Sequence, residues 1–149
     1  MSRKNNNAIW LSKAVLKSPA FLGLSAGAMS LYLHFLMKRQ MVKTPNKRQQ
    51  WQIANNGEIV FTYKMAKKEL GMYPSRFMRS LDKLIENGLI DIERPGSGSR
   101  KGDYSLYSIS TRWELFGKDN FIQKARQKDM RQIGFRHNKK HIKPRHAKK

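Results

Sequence analysis

The sequence predicts an α+β fold, a three-helix core with a β-hairpin and basic extensions at both ends, and three observations carry that expectation. From Ala20 to Glu86 the apolar residues recur at helical spacing in three separate runs. From Leu89 to Ser110 the pattern changes to two short β-rich runs around a glycine- and serine-rich loop. Lys and Arg number 31 against 10 Asp and Glu, a net charge of +21 on 149 residues. The chain divides on this reading into an N-terminal extension (1–19), a folded domain (20–116) and a basic C-terminal arm (117–149).

Met1 to Asn7 is polar and basic, without an apolar pattern, and is expected to lack fixed structure. Ala8 to Leu24 carries Ile9, Trp10, Leu11, Val15 and Leu16, but Pro19 and Gly23 interrupt any long helix. A strand and a short helix both fit it. The first long helix is expected from Ser25 to about Arg39, with Ser25 as its cap and Ala28, Leu31, Tyr32, Phe35 and Leu36 as its apolar stripe. Met41 to Asn56 is polar and basic, contains Pro45 and reads as a loop, with a short strand near Trp51 and Ile53. Gly57 to Tyr63 is a β-rich run ending at Thr62, which is placed to cap the next helix.

That second helix spans about Tyr63 to Leu70, with Met65, Ala66 and Leu70 inward and Lys64, Lys67 and Lys68 outward. Gly71 takes the turn, because glycine enters the left-handed region at low cost. The third helix runs from Pro74 to Glu86. Proline suits a first helical position, where its missing N–H would have no partner anyway. Phe77, Leu81, Leu84 and Ile85 form its core stripe, leaving Ser75, Arg76, Arg79, Ser80 and Lys83 on the opposite face. Asn87-Gly88 ends the helix, Leu89 to Glu93 reads as a strand, Pro95 to Asp103 as a loop with Arg100 and Lys101, and Tyr104 to Ser110 as the return strand. Helix, tight turn, helix and hairpin is the order of a winged helix-turn-helix.

Gly117 to Lys149 holds 12 Lys and Arg against two acids, a net +10. Phe121, Ile122, Ala125, Met130 and Ile133 give a weak amphipathic helix up to Gly134. Phe135 to Lys149 has too little apolar content to offset its ordering entropy alone. It orders only on a partner.

Composition excludes several classes. With no cysteine there are no disulfides, thiolate metal sites or cysteine nucleophiles, and a cytosolic, nucleoid-associated protein is the simplest match. Ala20 to Met37 lacks charged residues over 18 positions, but Ser25, Gly27, Ser30 and His34 make it a buried helix rather than a membrane span. The carboxylates are scattered as caps, helix surface and turn residues. No phosphate-cradling loop occurs, so no catalysis and no cofactor are expected. His137 and His141 have a metal-binding spacing, without a third ligand nearby and in a cation-repelling field. No metal is expected either. His34 reads as a satisfied core or boundary residue, and Trp10, Trp51 and Trp113 read as core.

The excess charge needs a polyanion, and DNA or RNA meets that need. The candidate contacts start with Ser75, Arg76 and Arg79, placed to reach base edges or phosphates, with Lys83 on the backbone. An arginine there can pair with both O6 and N7 of a guanine. Lys64, Lys67 and Lys68 are placed against phosphates, Arg100 and Lys101 at the hairpin tip, and Arg136, Lys139 and Lys140 in the arm.

The stretches Leu24 to Leu36, Gly57 to Tyr63, the helix-turn-helix and Tyr107 to Trp113 resemble winged helix-turn-helix proteins of phages and plasmids, among them the DNA-binding domains of replication initiators and small regulators. The resemblance covers Ala20 to Phe116 and rests on hydrophobic and turn patterns. It implies that the third helix enters the major groove while the wing lies along the backbone. The sequence departs from that pattern at Tyr73-Pro74, where such helices carry a Ser or Thr cap, so a shifted helix start is one expectation.

The leading expectation is a non-enzymatic duplex-DNA-binding protein, in replication initiation or transcription control. Two alternatives stay open: an RNA-binding, ribonucleoprotein-assembly subunit that uses the winged helix as scaffold, and a protein-interaction module. A homodimer or larger nucleoprotein complex also stays open, although no heptad pattern marks an interface.

Overall fold

Serine and threonine caps set where the helices of this chain begin. The computed structural model describes residues 8–46, 48, 50–96 and 102–127. Ser12 opens α1 (Lys13–Lys17), Ser18 opens α2 (Pro19–Leu22) and Ser25 opens α3 (Ala26–Met37). Their hydroxyls accept first-turn backbone N–H groups at 3.2, 3.2 and 3.3 Å, satisfying donors the helices leave unpaired. Ala8 to Leu24, readable as strand or helix, is thus two short helices that meet at Ser18. Val15 is buried in the core, so packing begins before residue 20.

In α3 the expected stripe is the buried one: Ala28, Leu31, Tyr32, Phe35 and Leu36. The following segment, expected as a loop with a short strand near Trp51 and Ile53, is a hairpin: that strand is present and pairs with an earlier one that was not expected. Its strands β1 (Met41–Lys43) and β2 (Trp51–Ile53) pair antiparallel, Met41 with Ile53 and Lys43 with Trp51. Both strands are only three residues long and mostly exposed, so they carry no alternation of apolar and polar residues to betray them.

Next come β3 (Ile59–Val60), α4 (Tyr63–Leu70), α5 (Pro74–Glu86), β4 (Ile90–Arg94), β5 (Leu106–Ile109) and a 3-10 turn over Arg112–Leu115. Thr62 caps α4, and Gly71 ends it in the left-handed conformation at φ 61°. The second sheet is antiparallel in the order β3-β5-β4. Helices and these two small antiparallel sheets make the fold α+β. Aromatic rings tie the layers together. Phe61 lies 5.0 Å from Phe35 of α3 and 5.8 Å from Phe77 of α5, and Tyr107 of β5 meets Phe35 at 5.3 Å.

Helix α5 buries Phe77, Leu81, Leu84 and Ile85 as its spacing predicts, and it starts at Pro74 without a side-chain cap from Tyr73. Ser80 corrects the expectation for its outer face. It is buried, turned toward Gly27 of α3, where an added Cβ would lie 3.3 Å from its Oγ. Two small residues let the helices approach closely there.

Beyond β5 the chain folds back over the C-terminal end of α5. Arg112 organises this return: it donates to Asp91 at 2.6 and 2.9 Å, to the Ile85 carbonyl at 2.9 Å and to the Ile122 carbonyl at 2.8 Å. Lys124 adds a 3.4 Å ion pair to Asp91, and Arg126 donates to Asp82 of α5 at 2.8 Å. The described part of the expected amphipathic helix, residues 121–127, is neither helix nor strand. Polar contacts fix it instead, while Ile122 stays 65% exposed. No helix among the described residues is long and apolar enough to cross a membrane.

Candidate nucleic-acid interface

The face in question is built by α4, the turn at Gly71 and the first turns of α5. Gly71 sends its N–H back to Lys67, and Met72 is buried beneath the turn, so α5 is set at a fixed angle to α4. Phe77, wedged between Phe61 and Tyr63 (5.2 Å), fixes the rotation of α5 about its axis. Rotation decides which side chains face outward.

Lys64, Lys67 and Lys68 of α4 are exposed, as are Ser75, Arg76, Arg79 and Lys83 of α5. They are not equivalent. Arg79 is exposed and folds its Nε toward the Ser75 carbonyl at 3.4 Å. Arg76, one turn earlier and exposed like Arg79, leans toward α3. Its guanidinium lies over α3, with Nε 3.2 Å from the place a Gly27 Cβ would occupy. Lys83 lies 3.9 Å from Glu86, its neighbour one turn on. Arg100 and Lys101, with Ser97 and Ser99, lie outside the described residues, as do Arg136, Lys139, Lys140, His137 and His141.

The hairpin root is described. A register shift between Ile92 and Arg94 bends β4, and Arg94 reaches the Tyr104 carbonyl at 3.4 Å and Asp103 at 3.7 Å. Gly96 passes so close to the returning chain that an added Cβ would meet the Ser105 nitrogen at 2.8 Å.

Electrostatics sort the cations into two groups. One group is tied to carboxylates. Glu69 of α4 joins Lys38 at 2.9 Å and His34 at 3.3 Å; Asp82 joins Arg126; Asp91 joins Arg112 and Lys124. Partial burial pushes the Asp91 carboxyl up, but hydrogen bonds from Arg112 and Ser110 and the nearby cations outweigh it and hold it below the usual carboxylate range. Glu69 follows the same balance, its desolvation outweighed by hydrogen bonds and charge from Lys38 and His34. The other cations have no carboxylate within ion-pair distance among the described residues: Lys64, Lys67, Lys68, Arg76 and Arg79 are five of them, beside Lys13, Lys17, Arg39, Lys43, Arg48 and Lys118. All five cluster on α4 and the first half of α5.

Sequence reasoning missed two aromatics here. Tyr73, at the entrance to α5, is 72% exposed, and Tyr63, exposed as well, donates its hydroxyl to the Met78 sulfur. An aromatic standing where a cap is expected was the available signal. Two of the three tryptophans also depart from the core placement expected of them: Trp10 is 70% and Trp51 56% exposed, while Trp113 is half-buried. No group of three or more potential metal ligands occurs among the described residues. No protein-family model, no curated protein sequence and no solved structure matches this chain.

Proposed function

We propose that this chain binds duplex DNA as a winged helix-turn-helix, with α5 as the major-groove helix, β4–β5 as the wing and the basic C-terminal arm on phosphates. The carrying observation is the division of charge. Carboxylates are engaged by Lys38, Lys83, Arg94, Arg112, Lys124 and Arg126, whereas five of the exposed cations without such partners lie close together on α4 and early α5. A row of unpaired cations beside the N-terminal half of an exposed helix is what a phosphate backbone and a groove floor call for. On this reading Arg79 is the base reader, Lys64, Lys67 and Lys68 are phosphate contacts, and no residue has a catalytic role. Arg76, lying toward α3, takes a phosphate at the edge of the interface.

The test is a paired titration of the wild type, Arg79→Ala and Arg76→Ala on a selected duplex and a random one at a single salt concentration. Arg79→Ala is expected to cost about 1–3 kcal/mol on the selected site and much less on random duplex. Arg79→Lys should recover little, because a point charge cannot reproduce the guanidinium fork. Arg76→Ala should lower both affinities alike. If Arg79→Ala also lowers both equally, it contacts phosphate only. If neither variant loses affinity, the duplex does not bind through α5.

A further inference from the structure

The two exposed tryptophans do not belong to the α4–α5 face. They line one open cleft of about 650 Å³ between the N-terminal segment, the end of α3 and the β1–β2 hairpin, together with Ile9, Met37 and Arg39. That volume lies within the span of sites that take small organic ligands. The cleft is built rather than incidental. Arg39 donates from Nη2 to the Trp10 carbonyl at 2.6 Å and from Nε to the Leu36 carbonyl at 3.1 Å, so one guanidinium pins the Trp10 backbone to the last turn of α3. Backbone pairing of Lys43 with Trp51 sets the second tryptophan on the hairpin. Two indoles 70% and 56% exposed, with Met37 60% exposed in the same cleft, form an apolar patch of the kind that marks a binding surface.

The charge around the patch says what covers it. Among the described residues from Met37 to Gly57, Arg39, Lys43 and Arg48 are cations without a carboxylate partner, Lys38 is paired with Glu69, and none is an acid. The Lys43 ammonium sits 5.3 Å from the centre of the Trp51 ring. A second copy of this chain would bring these cations against their own images. A flat aromatic ligand that carries negative charge satisfies both the indoles and the cations.

We infer that this cleft binds single-stranded nucleic acid, its unpaired bases stacked on Trp10 and Trp51 and its phosphates beside Lys43 and Arg39. Every base offers a π-face to an aromatic platform, so such a site is tolerant of sequence. Duplex does not fit it, because paired bases keep their faces inside the stack. The site is independent of α5 and stands whether or not α5 reads DNA.

The experiment uses the full chain at raised salt, which suppresses the arm's counterion-driven binding. Labelled oligothymidylate of about 12 nucleotides, within the size of one such site, and a duplex are titrated by anisotropy with wild type, Trp10→Ala, Trp51→Ala, Trp51→Phe and Arg79→Ala. Trp10→Ala and Trp51→Ala are each expected to weaken the single strand about tenfold or more and to leave the duplex unchanged. Trp51→Phe should keep most of the affinity, and tryptophan emission of the wild type should be quenched by the oligonucleotide. Arg79→Ala should leave the single strand unaffected, so failure of the α5 reading and failure of this one are told apart. Unchanged single-strand binding by both alanine variants overturns the inference. So does a concentration-dependent dimer in sedimentation equilibrium that Trp51→Ala dissolves, since the cleft would then be a contact between copies.

Discussion

Alanine at Gly71 and alanine at Gly88 meet a similar backbone penalty in different surroundings. Both glycines sit at positive φ, 61° and 77°, where a Cβ costs about 1–2 kcal/mol. Around Gly71 nothing lies within 4 Å of the added atom, whereas at Gly88 it would meet the Trp113 nitrogen at 2.8 Å and the Arg112 Cβ at 2.9 Å. Gly71→Ala should therefore lose about 1 kcal/mol, and Gly88→Ala about 2–4 kcal/mol because backbone must move. Urea unfolding at constant m-value measures the contrast. Asp91 gives the residue scale a pH dependence. Its folded carboxyl titrates below its unfolded value, so its contribution is complete above about pH 4 and is lost as the pH falls through the depressed value. Asp91→Asn is expected to cost about 2 kcal/mol at neutral pH, and the gap to wild type should close in acid. A gap that persists unchanged in acid would mean that Asp91 acts through shape and not through charge.

Helix α5 is fastened at its far end by one buried amide. Asn87 is 2% exposed and donates from Nδ2 to the Ala20 carbonyl at 2.7 Å, joining α5 to α2. Asn87→Ala leaves that attachment unmade and should cost about 1–3 kcal/mol. Asn87→Asp separates hydrogen bonding from size. A protonated carboxyl can still donate to the carbonyl, but an ionised one sets a charge against it, so burial raises its folded pKa. The penalty of Asn87→Asp should grow as the pH rises above about 4, the same direction as the Asp91→Asn gap but through a raised rather than a depressed folded pKa, and denaturant unfolding across pH reads both. The core stripes of α3 and α5 were legible because large apolar residues at helical spacing need no knowledge of their partners. Ser80 was not, since its burial depends on Gly27, which is far away in sequence. Nor was β1, whose brief exposed strand resembles loop even though its partner near Trp51 was expected, or the exposure of Trp10, whose carbonyl Arg39 holds. Arg112 and Arg126 are as basic in sequence as Arg79. Only the fold brings Asp91 and Asp82 to them.

At the scale of the molecule, charge divides between cations tied to carboxylates, Lys124 and Arg126 of the C-terminal arm among them, and cations without such partners. Deleting residues 134–149 removes seven Lys and Arg. On the DNA-binding reading this should weaken all duplexes alike and keep any preference among them. The slope of log affinity against log salt should fall by several units, about 0.9 for each phosphate no longer neutralised. An unchanged slope would show that these cations stay off the duplex. The clasp of Arg126 on Asp82 then has a geometric consequence. It fixes where the arm departs, one turn of α5 from Arg79, so the cations beyond it have a limited radius. Ten residues separate Arg126 from Arg136, and a fully extended chain covers about 3.5 Å per residue, a reach of about 35 Å. That is about the length of one turn of B-form duplex. On the DNA-binding reading Arg136, the first cation beyond Gly134, can thus touch phosphates up to one helical turn away from the α5 contact, and a hydroxyl-radical footprint should extend beyond it by about that much. Replacing Arg126 with Ala frees the departure point, which should blur the outer edge of the footprint while its centre stays where α5 sits.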